Sequence, residues 1–195
     1  MNDDRPRFSA YEATASSPRL DPKIGWVRSA THDDIDGLTR LAVEENGRSP
    51  SDGGGSTSFG HWHALFTDNL ARDDRHVLVA ASPTELVGYG RIAWFEPATD
   101  APADTAPAGW YLIGLSVAPS RRRRGFARAL TEQRLDWVAA RADEAWYFAN
   151  EENRISLALH ASLGFVEVTR DFSFPGVTFA GGTGVLARAD LTDRF

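Results

Sequence analysis

The chain has 195 residues, 42% of them hydrophobic, and a formal net charge of −6 at pH 7. This size and hydrophobic content predict a folded domain with a substantial core, and the negative charge argues against a protein that mainly coats nucleic acid or an anionic membrane. The chain contains no cysteine, which excludes disulfides, zinc–thiolate sites and a cysteine nucleophile.

The N-terminal segment, residues 1–23, is polar and charged and carries few large apolar side chains. We expect a flexible tail there, followed by a single folded domain over residues 24–195. The segment lacks the apolar run of a secretory signal, and no stretch of the chain approaches the ~20 apolar residues of a membrane span. These features favour a cytoplasmic protein.

The first predicted elements of the domain are a short strand over residues 24–28 and a helix that ends near Gly47. Thr31 occupies the N-cap position of that helix, and two acidic side chains follow in its first turn. The glycine-rich segment 49–60 is either a plain linker or a mobile flap beside a substrate site. The helix has one apolar face, formed by Ile35, Leu38, Leu41 and Ala42.

The remainder of the domain alternates strand and helix patterns. Strands are predicted over residues 76–81, 86–95, 110–117, 144–150, 165–172 and 184–189. Helices are predicted over residues 61–71, over residues 125–142, and from Asn153 to Gly164 with Ile155, Leu159 and Leu163 at four-residue spacing. The strand over 110–117 is nearly all apolar, so we expect it to be buried on both faces. The fold class is therefore α/β, with a mixed, partly antiparallel sheet flanked by helices.

The most informative stretch is LSVAPSRRRRGFARAL, residues 115–130, which has the pattern of a buried strand, a basic turn and a helix. Several backbone N–H groups converge at such a turn, at the positive end of a helix dipole, and this is typical of a phosphate site. Gly125 and Ala127 are small, so a ligand can approach the main chain closely. The four consecutive arginines, residues 121–124, also fit a solvated turn or a nucleic-acid patch.

The surroundings of the turn favour the phosphate site over the other two interpretations. The turn follows a buried strand and opens a helix, which is the context that a phosphate loop requires. The chain has neither a GxxxxGK[ST] motif nor a GxGxxG motif of the dinucleotide type. A nucleic-acid surface is disfavoured because no second basic stripe supports the first.

Two spaced motifs resemble those of the GCN5-related N-acetyltransferase (GNAT) superfamily. The first resembles the family's acetyl-coenzyme A signature and consists of Val117, Pro119, Arg122, Gly125 and Ala127. The second follows about 30 residues later and consists of Asn153, Ser156, His160, Gly164 and Phe165. The opening residues Val27, Arg28, Ala30 and Asp33 also resemble the first strand and helix of the family. The resemblance covers roughly residues 24–190.

The resemblance implies a central twisted sheet that is splayed at an acetyl-CoA site. The pantetheine arm would lie between the strand 112–117, where Leu115 and Val117 supply main-chain bonds, and the strand 145–150. Asn153 would sit beside the pantetheine end or act as a simple N-cap. Which arginine reaches the 3′-phosphate stays open. The residues implied for the pyrophosphate are Arg122, Arg123, Arg124, Gly125, Phe126, Ala127 and Arg128.

The resemblance also suggests two catalytic residues. His160 stands where the family often has a tyrosine that protonates the leaving thiolate; the alternative is a histidine that only packs on its helix. An amine must lose its ammonium proton before it attacks the thioester, and Glu96 is the leading candidate base. Asp100, Asp104, Glu44 and Glu45 are weaker candidates. Because the chain has no cysteine, we expect direct transfer in a ternary complex.

The predicted function is that of an acetyl-CoA-dependent N-acetyltransferase acting on a primary amine of a small molecule or a protein. The alternative is a non-catalytic domain that senses acyl-CoA. The acidic loop 96–104 weakly suggests a cationic acceptor. No metal is expected, because His61 and His63 are two residues apart and face different ways on a helix. No nucleic-acid or membrane partner is expected either. Whether the protein forms a homodimer is left open by the sequence.

Overall fold

A computed structural model describes residues 20–21, 23–46, 58–179 and 182–194. The predicted N-terminal tail and glycine-rich loop fall almost wholly outside these ranges. The described residues form one seven-stranded sheet with the strand order β1-β2-β3-β4-β5-β7-β6. The strands are β1 (Trp26–Ser29), β2 (Arg75–Ala81), β3 (Leu86–Phe95), β4 (Gly109–Val117), β5 (Glu144–Asn150), β6 (Phe165–Thr169) and β7 (Gly184–Asp190).

The strands of the sheet pair antiparallel, except for one parallel pair in its middle. Strands β1 to β4 are successively antiparallel, β4 and β5 are parallel, and β5, β7 and β6 are again antiparallel. The parallel step requires a crossover connection, and the helix that follows β4 supplies it. The prediction of a mixed, partly antiparallel α/β sheet flanked by helices is therefore confirmed.

Helices cover both faces of this sheet. The α-helices of the described residues are α1 (Ile35–Asn46), α2 (Phe59–Ala71), α3 (Phe126–Ala139) and α4 (Arg154–Ala161). Strand side chains alternate between the faces, so Val77 and Val79 pack with α1 and α2, whereas Leu78 and Ala80 pack with α3. No helix in the described parts of the chain has the length and apolar character needed to cross a membrane.

The entry into α1 is fixed by a buried carboxylate. Asp34 ends a short 3₁₀ turn and accepts two hydrogen bonds from the Arg28 guanidinium, at 2.6 and 2.8 Å. The same carboxylate accepts the backbone N–H of Thr31 at 2.8 Å, which closes a capping box. The Arg28 guanidinium holds the pKa of Asp34 below its usual value. Strand β1 and helix α1 are thus joined through one charged group.

Two expectations about burial need correction. Strand β4 is not buried on both faces along its whole length, since Gly114 is exposed and Leu115 is only half-buried. In α4, Ile155 is 87% exposed, and the buried side chain of that helix is His160. The last helix therefore turns a different face to the sheet from the one that its spacing of aliphatic residues suggests.

We expect Asp34→Asn to lower the free energy of unfolding by about 1–2 kcal/mol at pH 7, because the charged hydrogen bonds to Arg28 are lost. The folded-state pKa of Asp34 is lowered, so its contribution is complete above the unfolded pKa of about 3.9 and disappears as the pH falls through the folded-state pKa. Urea unfolding of both proteins at pH 7 and pH 3 measures this. Asp33→Asn, at an exposed neighbour, is the control. Equal effects of the two substitutions would contradict the prediction.

Candidate acetyl-CoA site

A gap between β4 and β5 forms the centre of the candidate site. The two parallel strands pair only at Tyr111 and Trp146, near their N-terminal ends. Beyond this point they diverge, and β4 keeps its antiparallel partner β3 on the other side as far as Val117. One edge of β4 is therefore left without a strand partner over the segment that includes Leu115 and Val117, as the splayed sheet of the resemblance implied.

An irregularity in β4 lies where the strands separate. Tyr89 is opposite Ser116 and Arg91 is opposite Ile113, so β4 has one extra residue in this stretch. Gly114 adopts the left-handed conformation with φ +52°, as in bulges that begin with glycine. A Cβ atom on Gly114 would lie 2.6 Å from the Nε of Arg91. The bulge thus bends β4 away from β5 and makes room for an arginine side chain.

The N-terminus of α3 lies at the end of the gap and has no side-chain cap. Gly125 is its N-cap residue, with φ +89°, and no side chain of the described residues bonds the first amides. The first intrahelical bond that closes onto Gly125 comes from Ala129, which leaves the N–H groups of Phe126, Ala127 and Arg128 without helical acceptors. A Cβ atom at Gly125 would meet only Leu20, 3.9 Å away, so the main chain is open to a ligand. These amides fit an anionic group.

The arginines of the turn divide into two pairs. Arg121 donates to the Glu85 carboxylate at 2.6 Å, and Arg122 donates to the carbonyl of Val117 at 3.0 Å and to Glu45 at 2.5 Å. Arg123 and Arg124 are exposed, and within the described residues no carboxylate pairs with either. Arg123 and Arg124 are therefore the side chains available to a phosphate, whereas Arg122 holds the turn against α1 and β4.

The second motif places two of its residues at the N-terminus of α4. Asn153 is the N-cap residue and its side-chain oxygen accepts the N–H of Ser156 at 3.2 Å. The Ser156 hydroxyl in turn accepts the Tyr147 hydroxyl of β5 at 2.6 Å. The N-cap role considered for Asn153 is thus present, and its contact with the cofactor stays a prediction.

His160 is packed beneath the gap rather than exposed in it. Its ring is 1% exposed and stacks on Tyr147, with 3.6 Å between ring centroids. Nδ1 lies 2.8 Å from the carbonyl oxygen of Ser156, so Nδ1 carries the hydrogen and donates it, and Nε2 has no hydrogen-bond partner among the described residues. Burial and the nearby Arg134 lower the pKa of His160 to about 3. A neutral imidazole in this state has no proton on Nε2 to give, which weighs against the acid role.

Arg134 is a functional candidate that sequence reasoning missed. This arginine of α3 is fully buried, and its guanidinium donates to Thr131 at 2.9 Å and lies 3.4 Å from the carbonyl of Ile113 in β4. Its Nε has no partner, like Nε2 of His160. The only sequence signal was a charged residue on the helix face that carries Leu130 and Val138, both of which are buried.

Glu96 does not line a cavity near the gap. Its carboxylate contacts the indole Nε1 of Trp94 at 3.4 Å, and that ring packs against Trp110, which in turn contacts Trp137 of α3. Among the weaker candidates, Glu45 is bonded to Arg122 and Asp104 lies near Ser173. The base role of Glu96 stays a prediction without geometric support.

A cavity of about 550 Å³ opens between α2, β3 and β4, on the face of the sheet opposite to α3. Its wall includes Ile113, the residue before the bulge, so the cavity adjoins the part of β4 that lies beyond the pairing with β5. Within the described residues, no cluster of His, Asp or Glu could hold a metal ion. The polar and charged residues of the cavity wall are His61, Asp68, Asn69, Arg75, Arg91 and Tyr111.

The gap, the glycine turn and the uncapped helix together define a class of proteins that bind acetyl-CoA, in keeping with the sequence resemblance. A family model described as acetyltransferase (GNAT) family matches residues 25–165, and the chain belongs to this family. No curated protein matches the chain. Membership supports acetyl-CoA-dependent acetyl transfer in general and leaves the acceptor unspecified.

Solved structures share the fold at low sequence identity. The ribosomal-protein-alanine N-acetyltransferase of Brucella melitensis is 21% identical, with a TM-score of 0.65 over 85% of this chain and 99% of that one. A putative acetyltransferase of Salmonella typhimurium, solved with its cofactor acetyl-CoA, is 18% identical, with a TM-score of 0.66 over 87% and 95%. Spermidine N-acetyltransferase of Vibrio cholerae, in complex with CoA and spermine, is 17% identical, with a TM-score of 0.62 over 88% and 97%.

We expect stability to fall as the pH drops from about 6.5 towards 3, because the unfolded chain protonates His160 in this range and the folded chain does not. His76, whose pKa burial lowers to about 4, acts in the same direction. His160→Phe keeps an aromatic ring but removes one of the two groups, so it should lose less stability than the wild type between pH 7 and pH 5. Urea unfolding at the two pH values tests this, with the exposed His32→Gln as control. An unchanged pH dependence in His160→Phe would refute the lowered pKa.

Proposed function

We propose that the protein is an N-acetyltransferase that transfers the acetyl group of acetyl-CoA directly to a primary amine in a ternary complex. The observation that carries this proposal is the open edge of β4 leading to the uncapped amides of α3. Acetyl-CoA supplies an activated thioester, and the remaining steps belong to the residues of this chain. Family membership and the fold support the proposal.

The proposed cofactor contacts follow from the position of each residue. The main chain of Leu115 and Val117, on the free edge of β4, would pair with the pantetheine arm. The amides from Gly125 to Arg128 would bind the pyrophosphate, and the exposed Arg123 and Arg124 would bind the 3′-phosphate through charge-assisted bonds. Arg122 would act by holding the turn in place, since its guanidinium is already bonded to Val117 and Glu45.

The proposed acceptor site is the cavity between α2, β3 and β4, because it meets the gap at Ile113. An acceptor amine reaches this site as an ammonium ion and must lose a proton before it attacks. His61 and Asp68 line the cavity and can take up that proton, directly or through water. Glu96, the base predicted from sequence, would have to act through intervening groups.

One observation favours the alternative of a domain that binds acyl-CoA without catalysis. The family position of the tyrosine acid holds His160, which is buried, neutral and already bonded to Ser156 through Nδ1. In the catalytic proposal the leaving thiolate would then take its proton from solvent or from the incoming ammonium. Release of free thiol with any amine acceptor excludes the alternative.

We expect Gly125→Trp to weaken acetyl-CoA binding at least about a hundredfold, because the indole would cover several charge-assisted amide contacts. Isothermal titration calorimetry measures the effect. Gly176→Trp is a matched control, since Gly176 also has a positive φ (+73°), lies in open space and is outside the turn before α3. It should bind acetyl-CoA like the wild type if it folds. Equal affinity of Gly125→Trp and the wild type would overturn the site.

We expect His160→Phe to keep kcat within about threefold of the wild type, because a neutral buried imidazole makes no contribution as an acid. Steady-state thiol release and calorimetry with acetyl-CoA measure turnover and affinity separately. A fall of tenfold or more in kcat, with unchanged affinity for acetyl-CoA, would instead establish the acid role that the sequence suggested.

A further inference from the structure

Arg91 presents a half-buried positive charge at the wall of the acceptor cavity, and no carboxylate among the described residues pairs with it. It lies on β3 opposite Ile113, and both residues line the cavity. Its Nε is buried and makes no hydrogen bond, and within the described residues no carboxylate pairs with its guanidinium. Burial lowers the pKa of Arg91, and among the described residues no carboxylate offsets this cost.

Other arginines of the chain are treated differently. Arg28, Arg121 and Arg122 all pair with carboxylates at 2.5–2.6 Å, although their side chains are 31–57% exposed to water. An unpaired charge that is shielded from water lowers the stability of the fold unless a ligand of opposite charge pairs with it. Arg75 adds a second cation to the same wall, and it is only partly neutralised by Asp74 at 3.2 Å. The sheet side of the cavity is therefore positive.

The position of Arg91 sets where an anionic group would bind. Its Nε is so near Gly114 that a Cβ atom there would lie 2.6 Å away, and Gly114 is the residue at which β4 turns from β5. The thioester is proposed to lie along this diverging segment. An anion bound to Arg91 is thus close to the reacting centre, and the attacking amine must be only a few bonds from that anion.

The opposite wall, formed by α2, is suited to the amine end. Asn69 is 6% exposed, and its amide nitrogen donates to the Leu65 carbonyl at 2.8 Å, which fixes the orientation of the amide. Its Oδ1 accepts no hydrogen bond from the described residues. Asp68 and His61 line the same wall. The cavity therefore has hydrogen-bond acceptors on one side and arginines on the other, in the arrangement that complements a zwitterion.

We infer that the acceptor is an α-amino acid or a similar amine with an adjacent carboxylate, and that the Arg91 guanidinium binds the carboxylate. This inference rests on the proposed function and replaces the cationic acceptor suggested by the acidic loop 96–104. Guanidinium binds carboxylate through paired, charge-assisted hydrogen bonds. The remaining wall is apolar and aromatic, with Phe95, Tyr111 and Phe174 in mutual ring contact, and it would face the side chain of the acceptor.

The test compares leucine with leucinamide, and phenylalanine with phenylalaninamide, as acceptors for thiol release from acetyl-CoA. The two members of each pair differ only in the carboxylate, and the amide has the less protonated amine, which works against the expected result. We expect kcat/KM to be at least about tenfold higher for the free amino acid. Spermidine, an alanine-initiated peptide amide and O-phosphoethanolamine complete the panel and represent polyamine, protein and phosphate-bearing acceptors.

Arg91→Met should abolish the preference for the free amino acid, mainly through a rise in its KM, while the amide is affected little. Arg91→Lys should restore part of the preference. Arg188→Met removes an exposed arginine that pairs with Glu144 outside the cavity, and it should behave like the wild type. Folding of Arg91→Met is not at risk from lost pairing, because the substitution removes a half-buried charge that no carboxylate of the described residues pairs with.

The outcomes separate the inference from the proposed function. Turnover of amides or spermidine in preference to amino acids, or a preference that survives in Arg91→Met, would overturn the carboxylate site and leave the acetyltransferase intact. If no amine is turned over, calorimetry with leucine and with N-acetyl-leucine, each with and without CoA, decides the matter. Binding that is lost in Arg91→Met supports the site, and no binding in the wild type overturns it. Absence of acetyl-CoA binding itself would refute only the proposed function.

Discussion

The separation of β4 from β5 is the constraint on which the site depends. A parallel pair would normally continue its ladder, and every main-chain group withheld from that ladder needs another partner. Here the strands pair at Tyr111 and Trp146 and then part, with the extra residue of the bulge near Gly114. The sheet thereby exposes a polar edge inside the molecule, which an extended amide-bearing ligand can complete. The turn at Gly125 ends the same edge with free helix amides.

The buried Arg134 and the half-buried Arg91 flank this gap, one on each face of the sheet. Arg134 approaches from α3 and Arg91 lies towards the cavity, and each has an Nε without a partner. The charge of Arg134 helps to keep His160 neutral, since a second positive charge so near is unfavourable. On the α3 side of the gap, Arg134 lies beside the neutral stacked rings of His160 and Tyr147. On the cavity side, Arg91 provides a positive charge that a substrate can neutralise.

Much of the architecture could be predicted from local sequence patterns. Strands β3 and β5 have the bounds that their apolar runs predicted, and Gly164, at the predicted end of the last helix, has a left-handed φ of 94°. Such features depend on neighbours in sequence, so periodicity and glycine placement reveal them. The spaced motifs also predicted the family.

Other features depend on contacts distant in sequence and could not be predicted. The burial of His160 arises from stacking on Tyr147, and the exposure of Ile155 follows from the same rotation of α4. Glu96 was favoured because it follows the end of β3, but its carboxylate contacts the Trp94 indole and is not among the groups that line the described cavity. Arg91 and Arg134 look like ordinary charged residues until the sheet and helices are assembled around them. Which of the four arginines in the turn are paired likewise depends on the positions of Glu45 and Glu85 in the fold.

The link from Arg122 to Glu45 has a thermodynamic consequence. The Glu45 side chain is only 8% exposed and relies on Arg122 as its counter-ion, so the turn before α3 and the C-terminal end of α1 share one electrostatic bond. A phosphate that drew the Arg122 guanidinium away would leave the desolvated Glu45 carboxylate without a counter-ion. Any such rearrangement is reciprocal. If cofactor binding costs free energy because it disturbs α1, a ligand that has already reorganised α1 raises the affinity for the cofactor by the same free energy. Binding at the nucleotide end of the cofactor and any reorganisation of α1 are thereby coupled through the Arg122 side chain.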